Sequence, residues 1–307
     1  MTDKSARPTI AITGATGFVG QHVLAAAVAR GWPVRALTRS PRDDSVQVQW
    51  VTGTLDDSAA LDRLCDGAGG LLHIAGAVNV PSRAAFAHAN IAGTQAVIDA
   101  ATRANVRRFV HVSSLAAREP QLSHYGWSKA GAEDAVQESA LDWLIVRPPG
   151  VFGPHDKDVL DMFKMARRGF MLLPPAGRGS WIYAPDLAAL LLDCVAKGPS
   201  GLILEPDDGA SASHVDFARA IGTAVGRPNP FTISAPRPLL WLAARADRLV
   251  RGNSAKLTPD RARYMAHPDW AADPARAPDP ALWQAATPRA AALRATHAWY
   301  VANRAYD

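Results

Sequence analysis

The sequence predicts an α/β fold, a doubly wound parallel sheet with a smaller, mostly helical C-terminal lobe. Three observations carry this expectation. A glycine-rich turn with Gly14, Gly17 and Gly20 joins the β-prone run Ile10 to Ile12 to an alanine-rich helical segment, Phe18 to about Arg30. Short apolar runs then alternate with helix-like segments as far as Leu204, the pattern of β–α–β units. From Glu205 onward proline and alanine become frequent and the helical segments short.

The turn Thr13-Gly-Ala-Thr-Gly-Phe-Val-Gly20 lies where a strand enters a helix. In that setting Gly14 permits a tight turn, Gly17 lets backbone N–H groups approach a pyrophosphate, and Gly20 lets helix and strand pack closely. The helix N-terminus adds partial positive charge for an anion. The spacing is Gly-x-x-Gly-x-x-Gly, and a glycine triplet by itself also fits an ordinary turn.

Composition narrows the class. The chain has 307 residues, 48% of them hydrophobic, enough for a substantial core in one large or two small domains. Cys65 and Cys194 lie far apart and match no disulfide or metal spacing, so a reducing cytoplasm and small buried thiols are expected. The polar lead Thr2 to Pro8 leaves no room for a signal peptide, and no apolar run reaches the length of a membrane span. The net charge is +5 with scattered arginines, which suits an anionic small molecule and does not imply nucleic acid.

Taken in order, Gly31-Trp32-Pro33 stops the first helix and Val34 to Thr38 reads as the second strand. Arg39 follows, nineteen positions after Gly20. A domain selective for NAD places Asp or Glu there, on the ribose hydroxyls. An arginine pairs instead with a 2′-phosphate, so Arg39 argues for NADP(H) over NAD(H), with Arg35 and Arg42 as helpers. A solvated surface arginine is the competing reading. Val46 to Val51 reads as the third strand, and Ser58 to Cys65 as a helix after a loop whose Leu55 can flank an adenine. Gly70 to Ile74 is the fourth strand. Its end, Ala75 and Gly76, is small enough for backbone to approach ribose and pyrophosphate, while His73 reads as a satisfied strand histidine. A helix from about Phe86 to Ala104 carries Asn90, either structural or holding a water near the site.

Arg108 to Val112 is the fifth strand, ending in Ser113-Ser114, and Tyr125 and Lys129 open a helix from about Gly126 to Ala140. Residues at i and i+4 share a helix face. A phenol is a poor base at neutral pH, and an adjacent ammonium lowers it toward working range. Ser114 would hydrogen-bond a substrate oxygen while Tyr125 exchanges a proton with it. Taken alone, Tyr-x-x-x-Lys is an ordinary amphipathic pair. Its place after the glycine turn and the Ser-Ser strand end makes the catalytic reading specific.

These motifs, with His73-Ile-Ala-Gly76, Asn90-x-x-Gly-Thr94 and Arg147-Pro-Pro-Gly-Val-Phe-Gly-Pro154, occur in the order of the extended short-chain dehydrogenase/reductases, which the chain resembles from residue 9 to about 190. That family includes nucleotide-sugar epimerases and dehydratases, 3β-hydroxysteroid dehydrogenases and dihydroflavonol-type reductases. The resemblance implies a Rossmann sheet and a Ser114, Tyr125, Lys129 triad, with Lys129 also on the nicotinamide ribose. Gly14, Thr16, Gly17, Phe18, Val19, Arg39, Leu55, Ala75, Gly76, Val112, Pro148 and Val151 complete the implied cofactor-binding set, the carboxamide meeting backbone near Val151. Thr54 departs from the family, which often carries Asp there; Asp56 is the candidate substitute. Val34 to Pro41 resembles the NADPH-using reductases.

In the second half, Leu141 to Val146 reads as the sixth strand, and His155, Asp156 and Lys157 open a loop and helix to about Arg168, either substrate-facing or solvated. Asp186 is expected to cap a helix running to Ala196, and Leu202 to Leu204 to form the last strand. Ser213 is a candidate cap for a helix to Val225. Pro238 to Val250 is apolar on one side, with Trp241 free to line a lobe or a partner surface. Ala271 to Pro280 is a loop candidate, and Thr296 to Tyr300 a final helix.

The domain expectation is residues 1–152 and 181–204 for NADP binding, and 153–180 and 205–307 for substrate. The functional expectation is an NADP(H)-dependent ketone/secondary-alcohol oxidoreductase acting on a small organic molecule in the cytoplasm, with no nucleic-acid or membrane partner. A nucleotide-sugar epimerase with tightly held NAD(P) and a non-catalytic NADP-binding regulator are the alternatives. The resemblance further implies a homodimer through helices near 90–104 and 126–140.

Overall fold

The computed structural model describes residues 7–252 and 257–306, so the first part of the polar lead lies outside the described residues. The elements run β1 (Ile10–Thr13), α1 (Phe18–Ala29), β2 (Val34–Thr38), β3 (Val48–Thr52), α2 (Ser58–Cys65), β4 (Gly70–His73), α3 (Arg83–Phe86) and α4 (Gly93–Arg103). There follow β5 (Arg108–Val112), α5 (His124–Gln137), β6 (Asp142–Val146), β7 (Gly150–Phe152), α6 (Leu160–Arg167), β8 (Phe170–Leu173), β9 (Arg178–Gly179), β10 (Trp181–Tyr183), α7 (Ala184–Lys197) and β11 (Leu202–Leu204). The last part holds β12 (Ala212–Ser213), α8 (His214–Ala224), β13 (Phe231–Ser234), α9 (Arg237–Arg251), α10 (Pro259–Met265), β14 (Asp269–Trp270) and α11 (Arg289–Ala302).

Seven strands form one parallel sheet in the order β11-β6-β5-β4-β1-β2-β3. Strands buried on both faces read as mainly apolar runs, and β1, β4 and β5 are buried at every position, the polar exceptions being Thr13, His73, Arg108 and His111. One face is covered by α1 and α7, through Val23, Ala27, Leu187 and Leu191. The other is covered by α2, α4 and the end of α5, through Leu61, Leu64, Val97, Ala101 and Val136. The chain reverses across the sheet between β1 and β4, so their carboxyl ends open a crevice at the turn of Gly14. A third apolar cluster, with Phe152, Phe163, Met171, Phe217, Leu293 and Tyr300, builds the helical region beyond the sheet. Both cysteines are buried thiols, and burial pushes each up to about 12.

Several boundaries differ from the sequence reading. The third strand starts at Val48, because Val46 is fully exposed and the Ser45 hydroxyl accepts the Val48 N–H to open the strand. The helix expected from Phe86 to Ala104 begins earlier, where Ser82 caps it, and is interrupted by a π-helical turn over Ala87–Ala92. That turn carries the buried Asn90, and a widened turn of this kind lets a polar side chain leave the regular helix. Asp186 is not the cap of α7: Tyr183 holds that position, and the Asp186 carboxylate accepts the Thr287 N–H and hydroxyl. Ser213 does cap α8, accepting from the Asp216 N–H. The final helix extends from Arg289, well before Thr296.

Candidate active site

The glycine turn is shaped by contact. Gly14 has φ +74°, and a Cβ there would lie 2.6 Å from the Ala75 nitrogen; one on Gly20 would lie 2.0 Å from the Gly14 carbonyl oxygen. So the turn is wedged between the end of β4 and its own helix, and only glycine permits either approach. Gly17 is exposed and a Cβ on it meets only the Gly14 oxygen, at 3.3 Å. The N-terminus of α1 has no side-chain cap and no acidic residue in its first turn, whereas α2, α3, α5, α8 and α10 are each capped by Asp, Ser or Thr. Its leading N–H groups therefore remain available to an anion. Phe18 and Val19 lead the helix, half-buried, and Thr16 spends its carbonyl on Gln21.

The ends of β1 and β4 are stitched together. Thr13 Oγ1 meets His73 Nδ1 at 2.6 Å and accepts the Ala75 N–H at 3.3 Å. His73 Nε2 meets Thr94 Oγ1 at 3.0 Å, so His73 is the satisfied strand histidine expected of it, and burial lowers it to about 3. Gly76 lies between two helices: a Cβ on it would stand 3.2 Å from Asn90 Oδ1 and 3.8 Å from Lys129 Nζ. Asn90 accepts the Ala77 N–H, donates to the Ala77 carbonyl at 3.0 Å and to Ser128 Oγ at 2.8 Å. Asn90 thus ties the end of β4 to α5.

At the end of β5, Ser114 opens a single 3-10 turn and accepts the Ala116 N–H. Its hydroxyl stands beside the Tyr125 phenol: burial pushes that phenol above its ordinary value, and the neighbouring Ser114 partly opposes this. Lys129, one turn on, is buried and donates to the Val112 carbonyl at 2.8 Å. Burial lowers its ammonium to about 8, and Glu133 works the other way. Pro148 is buried, with its carbonyl accepting the Leu115 N–H, and Val151 sits in β7, paired with Ile182 of β10.

Arg39 is exposed at the end of β2 and, among the described residues, has no hydrogen-bond or ion-pair partner. Arg42 stacks on Trp50. Arg35 is a correction: its guanidinium is taken up by Gln49 and by carbonyls at the end of α2. It stands near the start of β2, about 13 Å of strand from Arg39, while ligands sit at carboxyl ends. Leu55 packs on Gly93 at the rim of the core, and Asp56 pairs with His88. Asp156 is buried and caps the approach to α6, so it is not a solvated loop group, whereas His155 is exposed with its ring on Trp299.

Two features lie beyond the sequence reading. Beneath the site, Glu133 accepts from Arg147 and Ser113, and Arg147 and Arg118 both reach the fully buried Glu205. Glu133 was within reach of sequence, since Tyr125, Lys129 and Glu133 repeat at every fourth residue. From the C-terminal region, Asp260 accepts the His124 N–H at 2.9 Å, and Tyr264 comes close enough for Tyr125 to raise its phenol further. No local pattern announces that contact.

A glycine-rich crevice with free N–H donors, a serine–tyrosine pair and a buried lysine fits a dinucleotide. A family model described as NAD(P)H-binding matches residues 14–196. Ceramide reductase of Caulobacter vibrioides is 38% identical over 280 residues, 86% of either chain. A 4-hydroxy-2-methyl-3-oxo-4-farnesyl-3,4-dihydroquinoline-1-oxide ketoreductase of Stigmatella aurantiaca is 30% identical over 236 residues, 67% of this chain and 70% of that one. Among solved structures, a human epimerase family protein with NADPH superposes with a TM-score of 0.73 at 20% identity, covering 94% of this chain and 98% of that one. The Bordetella bronchiseptica enzyme WbmH in complex with NAD+ gives 0.70 at 20%, covering 96% and 98%.

Proposed function

Since the chain belongs to the extended short-chain dehydrogenase/reductase superfamily of NAD(P)-dependent enzymes, we propose that it is an NADP(H)-dependent oxidoreductase interconverting a ketone and a secondary alcohol. The observation that carries this reading is the placing of Ser114 beside the Tyr125 phenol, one turn from the buried Lys129, with Gly76 against Lys129 and Ala75 against Gly14 at the uncapped start of α1. NADPH supplies the hydride when bound. Ser114 holds the carbonyl oxygen, and Tyr125 delivers a proton to it in reduction or takes one in oxidation. Lys129 supports Tyr125 and holds the nicotinamide ribose. Gly14, Thr16, Gly17, Phe18 and Val19 receive the pyrophosphate; Leu55 flanks the adenine; Ala75, Gly76, Val112, Pro148 and Val151 line the nicotinamide side.

Preference for NADP(H) over NAD(H) rests on Arg39, a guanidinium with no partner among the described residues where a 2′-phosphate would stand. Ceramide and a farnesylated quinoline, named for two relatives, both carry long apolar chains, which supports an apolar ketone as the substrate class. Residues 1–152 and 181–204 form the nucleotide part and 153–180 and 205–307 the substrate part in this reading. A homodimer through α4 and α5 and a cytoplasmic setting belong to it as well. Among the described residues no helix is long and apolar enough to cross a membrane.

The test follows reduced-nicotinamide absorbance with a panel of apolar ketones and then with UDP-sugars. Ketone-dependent oxidation of NADPH supports the reading. Sugar interconversion without net oxidation would replace it with an epimerase, and nucleotide binding with no turnover would replace it with a regulator.

A further inference from the structure

α9 has two apolar faces. The inner one is narrow: Leu240 and Ala244 pack on Ala262 of α10. The outer one is wide. Leu239, Leu242, Leu249 and Val250 are exposed, Leu242 to 65% and Leu249 to 87%, and Leu239, Leu242, Ala246 and Leu249 recur at helical spacing along one stripe. Trp241 stands beside that stripe, with the Arg245 guanidinium over its ring. The helix carries four arginines against one aspartate, and Asp247 is occupied by Arg251 and the Leu257 N–H.

The strands leading into α9 repeat the pattern. β13 pairs with β8 so that Phe231 stands opposite Phe170 and Ile233 opposite Leu172, and all four are exposed. Lys164, Arg167 and Arg168 precede β8, and Arg237 follows β13. Apolar side chains rimmed by cations, with tryptophan at the boundary, complement an anionic lipid surface; an ordinary solvated face has no use for exposed leucines at helical spacing.

We propose that the outer face of α9, with the adjoining β8–β13 strands, docks the protein on anionic bilayers as a peripheral contact. α9 is far too short to span one. The docking helix rests on α10, and α10 supplies Asp260 to the first N–H of α5, one residue before Tyr125. A lipid-borne molecule would therefore leave the bilayer beside the candidate active site.

The test is flotation of the full chain with vesicles of phosphatidylglycerol and phosphatidylcholine, against phosphatidylcholine alone. The wild type is expected to float with the anionic vesicles only. Leu242→Glu with Leu249→Glu, and separately Arg245→Glu, should each weaken binding by about tenfold or more, with unchanged circular dichroism melts, since these side chains face outward. Val301→Glu, at another exposed apolar position, should bind like wild type. Failure of the wild type to float, or undiminished flotation of the double variant, would overturn the proposal. So would a doubled mass in light scattering that the double variant abolishes without any vesicle binding, which would assign the face to a second copy of the chain.

Discussion

The Lys129 ammonium donates to the Val112 carbonyl at 2.8 Å, so the backbone at the end of β5 fixes the cation one turn beyond Tyr125. Burial there depresses Lys129 to about 8, while Ser114 stands beside the Tyr125 phenol. The site is a set of separate anchors brought to one place by β4, β5 and α5.

Replacing Tyr125 with Phe removes the proton and leaves the ring. Turnover should fall by about 100-fold to 10,000-fold. NADPH affinity, read by fluorescence titration, should stay within about twofold, because the proposed phosphate contacts lie at the start of α1 and the end of β2.

Arg39→Asp places a carboxylate where a 2′-phosphate is expected. NADPH affinity should drop about tenfold to 100-fold and NADH should become the better cofactor. Wild-type NADPH binding should also weaken with added salt.

The glycines of the turn should separate stability from binding. Gly20→Ala drives a Cβ into the Gly14 carbonyl and should cost about 3 kcal/mol of unfolding free energy. Gly17→Ala meets little protein and should stay within about 0.5 kcal/mol while weakening nucleotide binding. Urea melts and titrations on the same samples distinguish the two.

Glu133→Gln removes the carboxylate that raises Lys129 and pairs Arg147. The Lys129 titration should move to lower pH, shifting the basic limb of the rate profile downward, and stability should fall by about 2 kcal/mol as Arg147 loses a charged partner.

His73 and His111 stack in the sheet, both held neutral by burial, and both ring nitrogens of His111 lack a hydrogen-bond partner among the described residues. Their folded pKa values lie below the unfolded value, so their contribution is full above about pH 6.5 and is lost as pH falls toward the folded values. Asp156, raised to about 6, works in the opposite sense between about pH 6 and 4. Comparison of wild type with His111→Leu isolates the histidine: the variant should be about 1–3 kcal/mol more stable at neutral pH and less sensitive to acid.

The sheet is legible in sequence because strands buried on both faces are mainly apolar and helices between them keep their periodicity. The glycine turn, the Ser114 strand end and the Tyr125–Lys129 spacing are legible for the same local reason. The π turn at Asn90 is not, since the residues on either side favour a plain helix. Asp260 and Tyr264 reach α5 from far along the chain, and the Arg147–Glu133–Glu205 network joins three elements, so neither leaves a local pattern. Asp186 misleads for a related reason: a carboxylate in the first turn resembles a cap until Thr287 arrives from the C-terminal region.

Reduction of an apolar ketone with NADPH deuterated at nicotinamide C4, read by mass spectrometry of the alcohol, tests hydride transfer itself. One deuterium on the carbinol carbon with wild type, and none above background with Tyr125→Phe, is the predicted result. Product without the label, or labelled product formed equally well by Tyr125→Phe, would contradict it.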